Sequence, residues 1–121
     1  MTNEQSQVIN LKIVEEAKSL MNDRFPMMVK YFIEDTEMYM EEIDKAIKDN
    51  NVEVAISPAH TIKSSAKQLG AERVSTVAKS LEELSRALHT KGESISAEFE
   101  KLFEQLKKEF EAAMPELNKM C

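Results

Sequence analysis

Apolar positions recur along the chain at three- and four-residue intervals with few interruptions, so the pattern predicts helices joined by short turns. Asn10 suits the N-cap of a short helix to about Met21, with Leu11, Val14, Ala17, Leu20 and Met21 on a broad apolar side. Asn22 and Asp23 break it. A long second helix is predicted from near Phe25 and Pro26, proline being tolerated in a first turn, to about Asp49. Its inward stripe is Phe25, Met28, Val29, Phe32, Thr36, Met40, Ile43 and Ile47, and Asn50 and Asn51 end it. After an ambiguous piece, Val52 to Ile56, Ser57 and Pro58 read as the N-cap and first residue of a third helix, which Gly70 stops. A fourth helix from about Glu72 to Thr90 carries Val74, Val77, Leu81, Leu84 and Leu88 on one face, and Lys91, Gly92 and Glu93 form the next turn. Ser94 or Ser96 caps the last helix. Its stripe is Phe99, Leu102, Phe103, Leu106, Phe110, Ala113 and Leu117, with Pro115 bending or ending it. The expected fold is all-α: an antiparallel four-helix bundle with an additional short N-terminal helix packed across it, one domain over residues 1–121.

Composition agrees and removes several functions. With 42% hydrophobic and 31% charged residues but only 2 Gly and 3 Pro, the chain is neither disordered nor a turn-rich β fold. Its 22 acidic against 16 basic side chains give −6 at pH 7, which argues against nucleic acid and anionic membrane as partners. The start, Met1 to Asn10, is polar, unlike a signal peptide, and no apolar run of about 18 residues exists to span a bilayer. The single Cys121 cannot form an internal disulfide. A cytoplasmic, stand-alone monomer is the expectation, the last because no heptad seam extends beyond the bundle.

The negative charge is uneven. Residues 1–53 hold 6 basic and 12 acidic groups, a charge of −6, and residues 82–121 hold 6 and 9, a charge of −3. Between Val54 and Leu81, Lys63, Lys67, Arg73 and Lys79 face only Glu72, so this stretch carries +3. It also holds His60. At about 100° per residue, with His60 as zero, Ile62, Ala66 and Leu69 fall between about 180° and 240°, while Lys63, Ser64 and Lys67 fall within about 60°. The histidine is therefore expected to face water beside two lysines and a small hydroxyl. A neutral imidazole is a nucleophile, and lysines one turn along can pair with phosphoryl oxygens during transfer.

The run Ala59-His60-Thr61-Ile62-Lys63-Ser64-Ser65-Ala66-Lys67-Gln68-Leu69-Gly70-Ala71 resembles the signature of histidine-containing phosphotransfer (HPt) domains of two-component phosphorelays. That family reads Ala-His-x-Leu-Lys-Gly-Ser, with Leu-Gly-Ala several residues later. Ala59, His60, Lys63, Ser65, Leu69, Gly70 and Ala71 match, with Ile62 for the leucine; Leu81-Glu82 resembles a Leu-Glu pair in the next helix, and Phe32 a phenylalanine before the site. Ser64 departs from the usual glycine, which lets the partner approach closely. The resemblance implies a phosphoryl carrier and not a self-sufficient kinase. His60 would accept phosphoryl from the aspartyl-phosphate of one receiver domain and pass it to the aspartate of another. Lys63 would supply electrostatic stabilisation, and Ser64 and Lys67 would border the docking face. No cofactor would be bound by this chain, the Mg²⁺ coming with the receiver.

No nucleotide-binding glycine motif is present, in keeping with that division of labour. A di-iron bundle would need Glu-x-x-His pairs, but Ser57 precedes His60 and Arg86 precedes His89 by three, so no metal site is expected. The alternative function is a non-catalytic bundle adaptor that binds a signalling partner through an apolar face, with Met27, Met28, Met38 and Met40 as adaptable contacts.

Overall fold

The computed structural model describes residues 8–121, so most of the polar start of the chain lies outside the described residues. All regular structure among them is helical: α1 Leu11–Met21, a 3-10 turn Asn22–Arg24, α2 Phe25–Lys48, α3 Val52–Leu69, α4 Glu72–Thr90 and α5 Ala97–Met120. Helices α2 to α5 close a ring in which each packs on the next and α5 returns to α2, while α1 lies against α3 and the start of α2. This is the expected four-helix bundle with an added N-terminal helix.

Its core follows the sequence stripes. Val29, Ile43, Ile62, Leu69, Val74, Leu81, Phe99, Leu106 and Leu117 are fully buried, and the Phe32 and Phe110 rings meet edge to face at 6.3 Å across α2 and α5. Burying a large apolar side chain contributes roughly 1.5–3 kcal/mol, so these positions dominate the stability of the bundle. Met28, Met40, Ile47, Leu84 and Leu102 are only partly buried at the margins.

Capping fixes most helix ends. The Asn10 side chain accepts from the backbone N–H groups of Lys12 and Ile13, and Ser96, rather than Ser94, accepts from Phe99. Gly70 ends α3 at φ +84°, where a side chain is strained, and a Cβ there would lie 2.8 Å from the Asn10 carbonyl oxygen. The Asn10 N–H donates to the Gly70 carbonyl at 2.7 Å, so the glycine also permits α1 to be tied to the α3–α4 turn.

Two expectations are corrected, and the Pro115 alternative of ending the helix is removed. Leu11 and Leu20 are 68% and 83% exposed, because α1 needs only Val14 and Ala17 to cover its share of α3 and α2. Helix α3 begins at Val52, not Ser57, and Pro58 lies inside it. Val52 and Ala55 are buried one turn apart, and that packing outweighs the local cost of the proline. Pro115 likewise lies within α5, which runs on to Met120 because Ala113 and Leu117 are both fully buried around it.

Candidate functional site

Half-way along α3, His60 stands on the outer face, its side chain 53% exposed. The periodicity places it there, since Ala59, Ile62 and Ala66 take the buried face of the same helix. From α4, the nearly buried Glu82 reaches under the ring, and its Oε2 lies 3.0 Å from His60 Nδ1. The same oxygen accepts from Arg86 Nε at 3.0 Å and Nη2 at 2.8 Å. Lys63 Nζ lies 2.8 Å from Glu82 Oε1. This oxygen is buried, and the Lys63 ion pair is its partner.

Burial alone would disfavour charge on Glu82. The interactions with Lys63, Arg86 and His60 outweigh it and hold the carboxyl at about 2, below its ordinary 4.5. Glu82 is therefore an anion at neutral pH and can only accept. Facing it, Nδ1 of a neutral ring must carry the proton, which leaves the lone pair on Nε2. Two cations around one carboxylate also leave a net positive charge beside the ring, suited to a phosphoryl group.

The structure brings His60 and Lys63 together through Glu82 and places Ser64 and Lys67 on the neighbouring surface. Lys63, however, is 29% exposed and tied to the carboxylate, so it is part of the fold as well as of the site. Lys63→Ala is expected to slow phosphoryl transfer about 10- to 100-fold while lowering unfolding stability by about 1 kcal/mol. Transfer kinetics beside urea denaturation check this; a stability loss large enough to account for the rate would refute a direct role.

Glu82 and Arg86 were not singled out as site residues by sequence. Arg86 stands four residues after Glu82, a helical ion-pair spacing legible in the chain. That Glu82 meets His60, 22 residues earlier, depends on how α3 and α4 pack. His89 is exposed in the last turn of α4 and makes no part of the cluster. Among the described residues no group of three or more His, Cys, Asp or Glu side chains is placed to hold a metal ion.

Helix α3 forms a ridge between two grooves. Towards α4, a groove of about 500 Å³ is lined by Lys63, Ser64, Lys67 and Lys79 with Glu72, Ser75 and Thr76. Towards α2, a groove of about 390 Å³ is lined by Met21, Met27, Met28, Tyr31, Phe32 and Leu69 with Arg24, Asp35, Ser65 and Gln68. Met40 lines a third groove, between α2 and α5, so the methionines do not form one apolar face. Arg73 is absent from the cationic groove, because its Nε and Nη2 each lie 2.8 Å from Glu109 of α5.

The bundle thus presents the His60 ring, oriented by Glu82, on its outer face and half exposed. The Hpt domain model matches residues 27–116, and the chain belongs to that family. It is a phosphorelay phosphotransfer intermediate, and receiver domains are its class of partner. The fold is similar to that of histidine-containing phosphotransfer protein B (HptB) from Pseudomonas aeruginosa PAO1, with a TM-score of 0.84, 19% identity and 94% of each chain covered. A search of the curated proteins finds no match. No helix among the described residues is long and apolar enough to cross a membrane.

Proposed function

We propose that His60 is the phosphoacceptor and that it works through Nε2. The single observation that carries this is the pairing of the half-exposed ring with the buried, ionised Glu82 at Nδ1. With Nδ1–H donating to Glu82, the Nε2 lone pair attacks the phosphorus of a receiver's aspartyl-phosphate. The N–P bond forms, the acyl P–O bond breaks, and the aspartate leaves as a carboxylate. Positive charge then develops on the imidazole, and the Glu82 anion stabilises it; the reverse sequence delivers phosphoryl to a second receiver.

Lys63 lies on the same helical face and shields Glu82 from the incoming phosphoryl oxygens. Ser64 and Lys67 border the surface a receiver would cover, and serine in place of glycine narrows the approach by one small side chain. The chain binds no cofactor of its own, and the receiver supplies Mg²⁺. We read the protein as a cytoplasmic monomer that does not bind nucleic acid, on its charge and helical pattern.

The regiochemistry tests the mechanism. Labelling the protein from a phosphorylated receiver with Mg²⁺ should give an acid-labile, alkali-stable phosphate, and NMR of the labelled protein should place it on Nε2. Phosphate on Nδ1 would refute the orienting role of Glu82.

A further inference from the structure

We propose that the α3–α4 groove, through Lys67 and Lys79, docks carboxylates at the rim of the receiver's phosphoaspartate pocket, so that the receiver leans on the α4 flank of the ridge. This rests on His60 as the phosphoacceptor and adds Lys79, eight residues beyond the signature run in the next helix, as a specificity-determining residue.

The first observation is which cations are committed. Lys63 and Arg86 are tied to Glu82, and Arg73 is tied to Glu109. Lys67 and Lys79 are exposed and have no ion pair among the described residues. Two of the groove's three side-chain hydroxyls are engaged with backbone: Ser75 Oγ donates to the Lys63 carbonyl at 2.9 Å and Thr76 Oγ1 to the Glu72 carbonyl at 2.9 Å, while Ser64 borders the lysines. Glu72 is the one carboxylate among the lining residues, and its Oε1 lies 3.5 Å from Asn10 Nδ2, at the α1 end. What the groove offers a partner is therefore chiefly ammonium charge, with the Ser64 hydroxyl beside it.

The second observation is the field around it. The chain carries −6 overall, and the segments flanking the Val54–Leu81 stretch carry −6 and −3. In space Arg73 is neutralised by Glu109 and Lys63 and Arg86 share Glu82, so the positive charge left near His60 is that of the Glu82 cluster with Lys67 and Lys79, and it favours an acidic partner there on an otherwise acidic chain. The groove towards α2, where Met27, Met28 and Tyr31 sit with Arg24 and Asp35, meets α3 at Ser65 and Gln68, further along the helix from His60.

The test uses whichever receiver domain of the same organism, phosphorylated with phosphoramidate and Mg²⁺, labels the full chain fastest. Transfer is measured against receiver concentration at about 50 mM and about 500 mM salt, where screening differs several-fold. Lys79→Glu is expected to raise KM about tenfold at the lower salt, with the maximal rate changed less than twofold and the difference largely lost at the higher salt. Lys101→Glu on α5, an exposed lysine of equal charge change, should leave KM within twofold. A Lys79→Glu KM within twofold of the parent, or an equal rise for Lys101→Glu, would overturn the docking assignment while leaving His60 standing. Label on a His60→Gln protein would instead overturn the acceptor assignment on which it rests. Circular dichroism confirms that both charge variants are folded.

Discussion

His60→Gln is expected to take no phosphate from any receiver that labels the parent chain, a complete loss and the largest effect predicted for a single change. Glutamine fills similar space and can donate its amide N–H to Glu82, so the cluster keeps a donor where Nδ1 stood. The ring is half exposed, so little packing is lost and stability should change by less than about 1 kcal/mol. The comparison isolates the nucleophile: same bundle, same docking surface, no imidazole. It is read by following radiolabel or mass on the chain, with receiver binding measured in parallel. Unchanged binding with no label locates the chemistry on His60; label that persists and survives alkali would remove His60 from the acceptor role.

Glu82 should show the second largest effect, and it separates charge from orientation. Glu82→Ala removes the partner of three groups at once and is expected to cost about 2–4 kcal/mol and to slow transfer at least about tenfold. Glu82→Gln retains an oxygen to accept from Nδ1 but loses the charge that stabilises the ring as it becomes cationic. It should therefore preserve attachment at Nε2 while still transferring more slowly. Both variants should also change the response to acid. Because folding lowers the Glu82 pKa from 4.5 to about 2, its contribution is complete above about pH 4.5 and is lost as pH falls towards 2. The shift corresponds to roughly 3 kcal/mol, which the parent should lose over that window and Glu82→Gln should not. Urea unfolding at stepped pH measures the difference. Parallel acid profiles for the two proteins, or wild-type transfer by Glu82→Ala, would refute the role assigned to this carboxylate.

Much of the fold was legible because its signals are local. Asn10 caps α1, Gly70 ends α3 with positive φ, and the starts of α2 and α4 fall where the residues place them. Pro58 misled for an equally local reason: a serine followed by proline is a good helix start, and only the burial of Val52 and Ala55 against the bundle extends α3 past it. At the site, the exposure of His60 and its nearness to Lys63 are properties of one helix and could be derived from a wheel. The Glu82 contact, and the separation of Lys79 from Arg73, are properties of how α3, α4 and α5 pack. Four like charges in one stretch of sequence become a pair facing the groove, one ion-paired site lysine, and an arginine turned to α5.

The ridge on which His60 stands also sets the order of events. With His60 as the proposed acceptor, donor and acceptor domains must both come to one ring on the outer face of α3, so they exchange phosphoryl in turn. The carrier therefore works by turns: it departs loaded from one visitor before it can unload to the next, as in ping-pong kinetics. A receiver that occupies the ridge without exchanging phosphoryl holds up all others, and the release of a spent visitor becomes a step that can limit the relay. In such a scheme the relative abundance of receivers bears on where the phosphoryl group goes.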